Sequence, residues 1–114
     1  MPHFVIDCSE NIIKLKSPEE IIQFVFKNAE STGLFNIKDI KVRINPFKYY
    51  TVANTNDDFI HVFANIMEGR TTIQKNKLSQ SIVSSLVSIF PEVPVISISI
   101  RDFEKSTYCN RSMI

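Results

Sequence analysis

The feature that most constrains this chain is a pattern played twice: an alternating stretch, a capped helical stretch, then another alternating stretch. From His3 to Ser9, Phe4, Ile6 and Cys8 alternate with His3, Val5, Asp7 and Ser9, the period of a half-buried strand. Ser17-Pro18-Glu19-Glu20 then reads as a helix start, with serine as cap, proline at the first position and Glu20 closing a capping box. Ile21, Ile22, Val25, Phe26 and Ala29 follow at helical spacing, and Gly33 is the stop. Alternation returns from Asp39 to Asn45, with Ile40, Val42 and Ile44 against Lys41, Arg43 and Asn45. After Pro46 to Asp58, an extended piece and a turn, the plan repeats. Phe59 to Ile66 alternates, and Thr71 to Gln74 is a second capping-box candidate. Leu78, Ile82, Val83, Leu86, Val87, Ile89 and Phe90 form a helical stripe ended by Pro91. Val95 to Arg101 alternates again, and the tail from Phe103 to Ile114 reads as a polar loop.

Each strand–helix–strand unit needs a right-handed crossover if its strands are parallel. Two such units side by side predict an α+β (α/β) fold. Its four-stranded sheet carries both helices on one face. The expectation is one domain over residues 1–114, with pseudo-repeats at about 1–56 and 57–114. The other sheet face would carry His3, Val5, Asp7, Arg43, Phe59, His61, Phe63 and the serines. A half-apolar face left uncovered on a small domain predicts packing against further copies of the chain.

Composition narrows the chemistry. Thirteen basic against twelve acidic residues leave a net charge of +1, without the excess that phosphate neutralisation by a nucleic-acid binder requires. Two glycines exclude the glycine-rich phosphate loops. Two distant cysteines exclude a disulfide framework and a cysteine-rich zinc site. No apolar run approaches the roughly 18 residues of a membrane span. The start lacks the basic region of a signal peptide, so the expected location is cytoplasmic. No cofactor, nucleic acid or membrane partner is expected.

Pro2 is the unusual residue. Removal of Met1 would leave a secondary amine at the start of a core strand, where partial desolvation disfavours its charged form. From a free reference of about 7.7–8.0, a modest shift gives an uncharged base near neutral pH. The plainer reading is that proline here only directs methionine removal. Arg43, mid-strand among apolar neighbours, must be paired or must line a site. Arg70 stands at a strand-to-helix junction, where helix backbone donors would add to its hold on a carboxylate. A salt bridge and an exposed turn are the plain alternatives for these two. His3 and His61 lack partners at metal-ligand spacing and read as strand or interface histidines. Cys8 reads as core and Cys109 as a tail thiol. Phe47, Tyr49 and Tyr50 read as core filling before pocket lining.

Met1-Pro2-His3-Phe4-Val5-Ile6-Asp7-Cys8-Ser9-Glu10-Asn11-Ile12 closely resembles the N-terminus of the 5-carboxymethyl-2-hydroxymuconate isomerases, members of the tautomerase superfamily. Phe59-Ile60-His61-Val62 with Gly69-Arg70 is similar to that family's second strand–turn–helix unit. Met67-Glu68-Gly69-Arg70-Thr71 resembles the strand-to-helix junction of 4-oxalocrotonate tautomerase, and Ser106 to Arg111 resembles the polar tail. The resemblance implies a trimer and cofactor-free catalysis, with Pro2 as base and Arg43 and Arg70 binding substrate. It also implies one composite site per subunit. The first half has Ile12 near the junction-arginine position, and the second has Ser97 or Ser99 in place of the strand arginine and no free amine.

The function so implied is a proton shift in a 2-hydroxymuconate-type dienol carboxylate. Two rivals stand beside it. One is a phenylpyruvate-type keto-enol tautomerase, against which stands the absence of a Cys-x-x-Cys. The other is a non-catalytic oligomeric interaction module, the outcome if Met1 is retained and the Pro2 nitrogen stays an amide.

Overall fold

The computed structural model describes residues 1–114. Four strands form the sheet: β1 (His3–Ser9), β2 (Lys41–Phe47), β3 (Phe59–Met67) and β4 (Val95–Phe103). Their order is β2-β1-β3-β4. β1 runs parallel to β2, β3 parallel to β4, and the central pair β1/β3 is antiparallel. The two units therefore meet at their first strands, head to tail.

Helices α2 (Pro18–Ser31) and α3 (Thr72–Ile89) cover one face, as the alternation requires. Ile21, Val25 and Ala29 of α2 and Leu78, Ile82 and Leu86 of α3 join Phe4, Ile6, Cys8, Ile60, Val62, Ala64 and Ile66 in one buried core. Burying each large apolar side chain contributes about 1.5–3 kcal/mol, so this layer is the main stabilising element. Val87, expected on the α3 stripe, is 48% exposed and faces solvent.

The caps differ in quality. Thr71 and Gln74 form the complete reciprocal box at α3. At α2, Ser17 Oγ accepts from Glu20 N–H at 3.2 Å, but the Glu20 carboxylate accepts from the Ser17 hydroxyl at 3.1 Å and not from the Ser17 N–H. The expected box is half made. Gly33 ends α2 with φ +70°, a value that a side chain would strain.

Several local features escape the alternation. A one-turn helix α1 (Ile12–Leu15) precedes α2; it has no side-chain cap and is too short to show a period. A 3₁₀ turn at Ile37–Asp39, capped by Asn36, delays β2 to Lys41. Pro46 sits within β2, which an edge strand tolerates. The segment after β2 turns at Ala53 and Asn54, both left-handed (φ 47° and 64°), with Val52 bridging Thr55. The tail is more ordered than its polarity suggests. β4 runs on to Phe103, whose carbonyl accepts from Glu68 N–H at 3.1 Å, and two 3₁₀ turns follow.

The opposite sheet face is uncovered within the chain. Its residues line up in rungs: Lys41–His3–Asn65–Arg101, then Arg43–Val5–Phe63–Ser99, then Asn45–Asp7–His61–Ser97. Phe63 carries the Arg101 guanidinium 4.4 Å from its ring centre.

Candidate active site at the N-terminal end of the sheet

Because β1 and β3 are antiparallel, the start of β1 lies beside the end of β3. That brings the N-terminus of the first half to the strand-to-helix junction of the second. Pro2 is anchored there: its side chain is fully buried, and its carbonyl accepts from Lys41 N–H at 3.1 Å. The chain's first residues are thus held at the core's edge.

Arg70 reaches the same end. Gly69 makes the turn out of β3 with φ +118°. The Arg70 guanidinium then donates to Met67 O at 3.2 Å and Leu34 O at 2.8 Å and lies 5.1 Å from the centre of the Phe35 ring. Two of its five N–H donors are engaged, which fixes its plane and leaves others for a ligand. The helix N-terminus behind it offers fewer donors than expected, since the capping box uses two of them.

The terminal amine, carried by Met1, is held below its ordinary value of 8.0. Burial is the main cause. Asp39 opposes it, and Arg70 and Lys41 act in the same downward direction. Lys41 was not singled out by sequence. It opens β2 beside His3, donates to Asp39 O at 2.6 Å and approaches Met1 Sδ at 4.0 Å. Its position on the first rung is the signal that alternation alone held.

Arg43 stands one rung further along β2. It is exposed, and its Nη1 donates to His3 Nδ1 at 3.1 Å. It is therefore neither in a salt bridge nor among the cations that act on the amine. The His3 ring is itself held below its usual value, by burial first and then by Arg43, Lys41 and the N-terminal charge. An arginine always donates, so neutral His3 accepts at Nδ1 and keeps its proton on Nε2.

The remaining candidates fall elsewhere. Cys8 is buried in the core with its thiol pushed up to about 12 by burial, and is inert. His61 bonds Ser97 Oγ at 2.7 Å and Ser99 Oγ at 3.1 Å on the uncovered face. Tyr49 is 86% exposed and Phe47 40%, so these two fill no core in the single chain. The largest surface hollow, about 440 Å³, lies between the end of α2 and α3 and contains neither the amine nor an arginine. No cluster of His, Cys, Asp or Glu could hold a metal ion. No helix is long and apolar enough to cross a membrane.

A basic end of a β-α-β pair, with an amine of lowered basicity and an arginine from the other half, is an arrangement whose chemistry suits carboxylates and proton transfer. The family model of 5-carboxymethyl-2-hydroxymuconate isomerase matches residues 2–113. The chain belongs to this family. It is thus an isomerase of the tautomerase superfamily. No curated protein matches it by sequence. Among solved structures, a 5-carboxymethyl-2-hydroxymuconate isomerase from Deinococcus radiodurans R1 superposes with a TM-score of 0.83 at 18% identity, over 96% of this chain and 88% of that one. A 5-carboxymethyl-2-hydroxymuconate delta-isomerase gives 0.73 at 14% identity, over 97% and 87%. A wild-type fused 4-OT solved as an asymmetric trimer gives 0.78 at 12%, over 96% and 92%. At these identities the three share the isomerase's fold.

Proposed function

We propose that this isomerase shifts a proton in a 2-hydroxymuconate-type dienol carboxylate, with the Pro2 nitrogen as general base after Met1 is removed. The observation that carries the reading is the meeting of Pro2 with Lys41 and Arg70, cations from the two different halves, at one end of the sheet, through the antiparallel β1/β3 pair and the Lys41 N–H to Pro2 O bond; both cations lower the basicity of the terminal amine. Removal of Met1 would move the amine inward to Pro2, whose side chain is fully buried. Desolvation and both cations then favour the uncharged nitrogen, as a base at neutral pH requires.

Arg70 grips the carboxylate beside the reacting enol through its free N–H donors. Lys41 adds positive charge at the same end, and Arg43, one rung on, meets a second carboxylate. The Pro2 nitrogen takes the proton from the 2-hydroxyl. The oxygen electrons form the ketone, the diene shifts, and a distant carbon takes a proton back. One O–H bond is lost and one C–H bond gained, so nothing else is consumed. The cations stabilise the dienolate between the two transfers. The same reading makes the assembled enzyme a homotrimer packed through the uncovered faces, as the trimeric fused 4-OT neighbour and the half-apolar rungs suggest.

Intact mass of the native protein tests the base directly. Loss of one methionine is expected, and a mass that includes Met1 would remove Pro2 from the chemistry. Pro2→Ala leaves a primary amine and should lower kcat/KM on 2-hydroxymuconate by about a hundredfold without abolishing turnover. Sedimentation at three times the chain mass checks the assembly.

A further inference from the structure

Arg70 belongs to the second half of the chain, but the residues that hold it come partly from the first. Between Gly33, after α2, and the start of β2 the chain crosses the molecule in a short strap, residues 34–39. The strap is pinned at both ends. At its start, Thr32 Oγ1 accepts from Leu34 N–H at 3.3 Å, across the left-handed turn at Gly33. At its end, Asn36 Oδ1 accepts from Lys38 N–H at 3.0 Å and Asn36 O accepts from Asp39 N–H at 2.9 Å. Leu34 and Phe35, between these pins, are half-buried and packed against the core. To swing away they would have to break those bonds and expose apolar surface.

Both residues act on Arg70. The Leu34 carbonyl accepts from Arg70 Nη2 at 2.8 Å, and the centre of the Phe35 ring lies 5.1 Å from the guanidinium carbon. That distance is within reach of the attraction between a cation and the negative face of a ring. The ring is held in its turn by an edge-to-face contact with Phe4, 5.8 Å between centres. Phe4 is fully buried in β1, two residues after Pro2. A run of contacts thus leads from the start of β1, through Phe4 and Phe35, to the guanidinium of the other half.

A free arginine that grips a carboxylate gives up rotamer freedom to do so. Here much of that freedom is already gone. One carbonyl from each half, Leu34 and Met67, holds the guanidinium, and the ring lies across it. A planar fork held in one orientation offers a carboxylate two parallel N–H bonds without further ordering. Phe35 carries no charge and no polar side-chain atom, so its influence on a carboxylate passes through Arg70.

We propose that Phe35 is a positioning residue of the isomerase, whose ring orients Arg70 for the substrate carboxylate. The inference rests on the reading of Arg70 as the carboxylate grip.

The test is a double-mutant cycle on the native enzyme with 2-hydroxymuconate. Phe35→Leu keeps apolar bulk and removes the ring face, and kcat/KM is expected to fall by about three- to tenfold, through KM. Phe35→Tyr keeps the face and should stay within about twofold of wild type. In an Arg70→Ala background, Phe35→Leu should cost less than about twofold, because the group it positions is gone. A loss of the same size in both backgrounds, or a Phe35→Leu enzyme with wild-type kcat/KM, overturns the positioning role and leaves Arg70 as the grip. An Arg70→Ala enzyme with wild-type kcat/KM overturns the grip and the positioning role together. A second readout needs no turnover. The Arg70 Nε–H proton resonance, assigned by its loss in Arg70→Ala, feels the ring current of Phe35. It should move in Phe35→Leu and hold its place in Phe35→Tyr, and a resonance that Phe35→Leu leaves in place overturns the contact.

Discussion

The two ends of the sheet are built on one plan and do different work. At one end are the start of β1, the start of β2 and the junction after β3. At the other are the start of β3, the start of β4 and the junction after β1. The rungs pair Lys41 with His3 at the first end and Val95 with Phe59 at the second. Counting along the paired strands makes Ser97 the counterpart of Arg43. The junction position is a cation, Arg70, at the first end and a fully buried Ile12 at the second.

What replaces the amine at the second end is a hydrogen-bond lock. Ser9 Oγ donates to Asp58 Oδ1 at 2.7 Å and accepts from Phe59 N–H at 3.2 Å, while Asn11 Nδ2 donates to Asp58 Oδ2 at 2.9 Å. No free amine is possible there, because the chain passes through. A cation at Ile12 would lie in the core with nothing to pair it. One end gathers unneutralised positive charge, and the other satisfies its polar groups internally. A duplicated plan has thus diverged: cations collect at one end of the sheet and buried, internally bonded groups at the other, so the proposed chemistry has a place at one end only.

The largest expected effect tests whether the second end is purely structural. Ile12→Ala should lower stability by about 2–5 kcal/mol, read by denaturant unfolding, since it empties a fully buried site. Activity per folded molecule should be unchanged, and a fall in kcat/KM would mean the two ends are not independent. At the first end, Arg70→Ala should raise KM by about tenfold or more, through loss of charge-assisted hydrogen bonds of about 1.5–3 kcal/mol.

The pH profile sharpens that result. A base acts only when unprotonated, so kcat/KM falls as pH drops through the amine's lowered pKa. Arg70 lowers and Asp39 raises the pKa of the amine at Met1; a Pro2 amine at the same end keeps both neighbours, so Arg70→Ala should move the acid limb up and Asp39→Asn should move it down. A limb that ignores both substitutions would show that some other group titrates. Smaller still is Asp58→Asn at the lock. It should destabilise by about 1–3 kcal/mol with the acid limb in place, by weakening bonds to a carboxylate. The smallest effect lies between the halves. Ala53→Gly relieves a left-handed alanine and should stabilise by roughly 1 kcal/mol, read as a raised unfolding midpoint.

Much of this was legible in the chain. Period-2 alternation at Phe4-Ile6-Cys8 and Ile60-Val62-Ala64-Ile66 located the central strands, because one face of each is buried and the other is not. The Thr71/Gln74 box and Gly33 marked helix ends through local chemistry. The lengths of β2 and β4 were less legible. The Asn36 cap trims β2 at its start, and pairing with Met67 extends β4 past the polar Asp102. Pro2, Arg43 and Arg70 stood out by residue type, but the role of Lys41 did not. An exposed strand lysine is unremarkable until its neighbour across the ladder is known.

The layers and the covered face were written in the chain, since periodicity and caps act over a few residues. Only tertiary structure decided the antiparallel meeting of β1 and β3. That pairing brings Arg70, sixty-eight positions from Pro2, to the same end of the sheet. It also determined that Arg43 holds His3 while Lys41 and Arg70 act on the amine. Charges act through distance in space, and the chain fixes that distance only once its strands have paired.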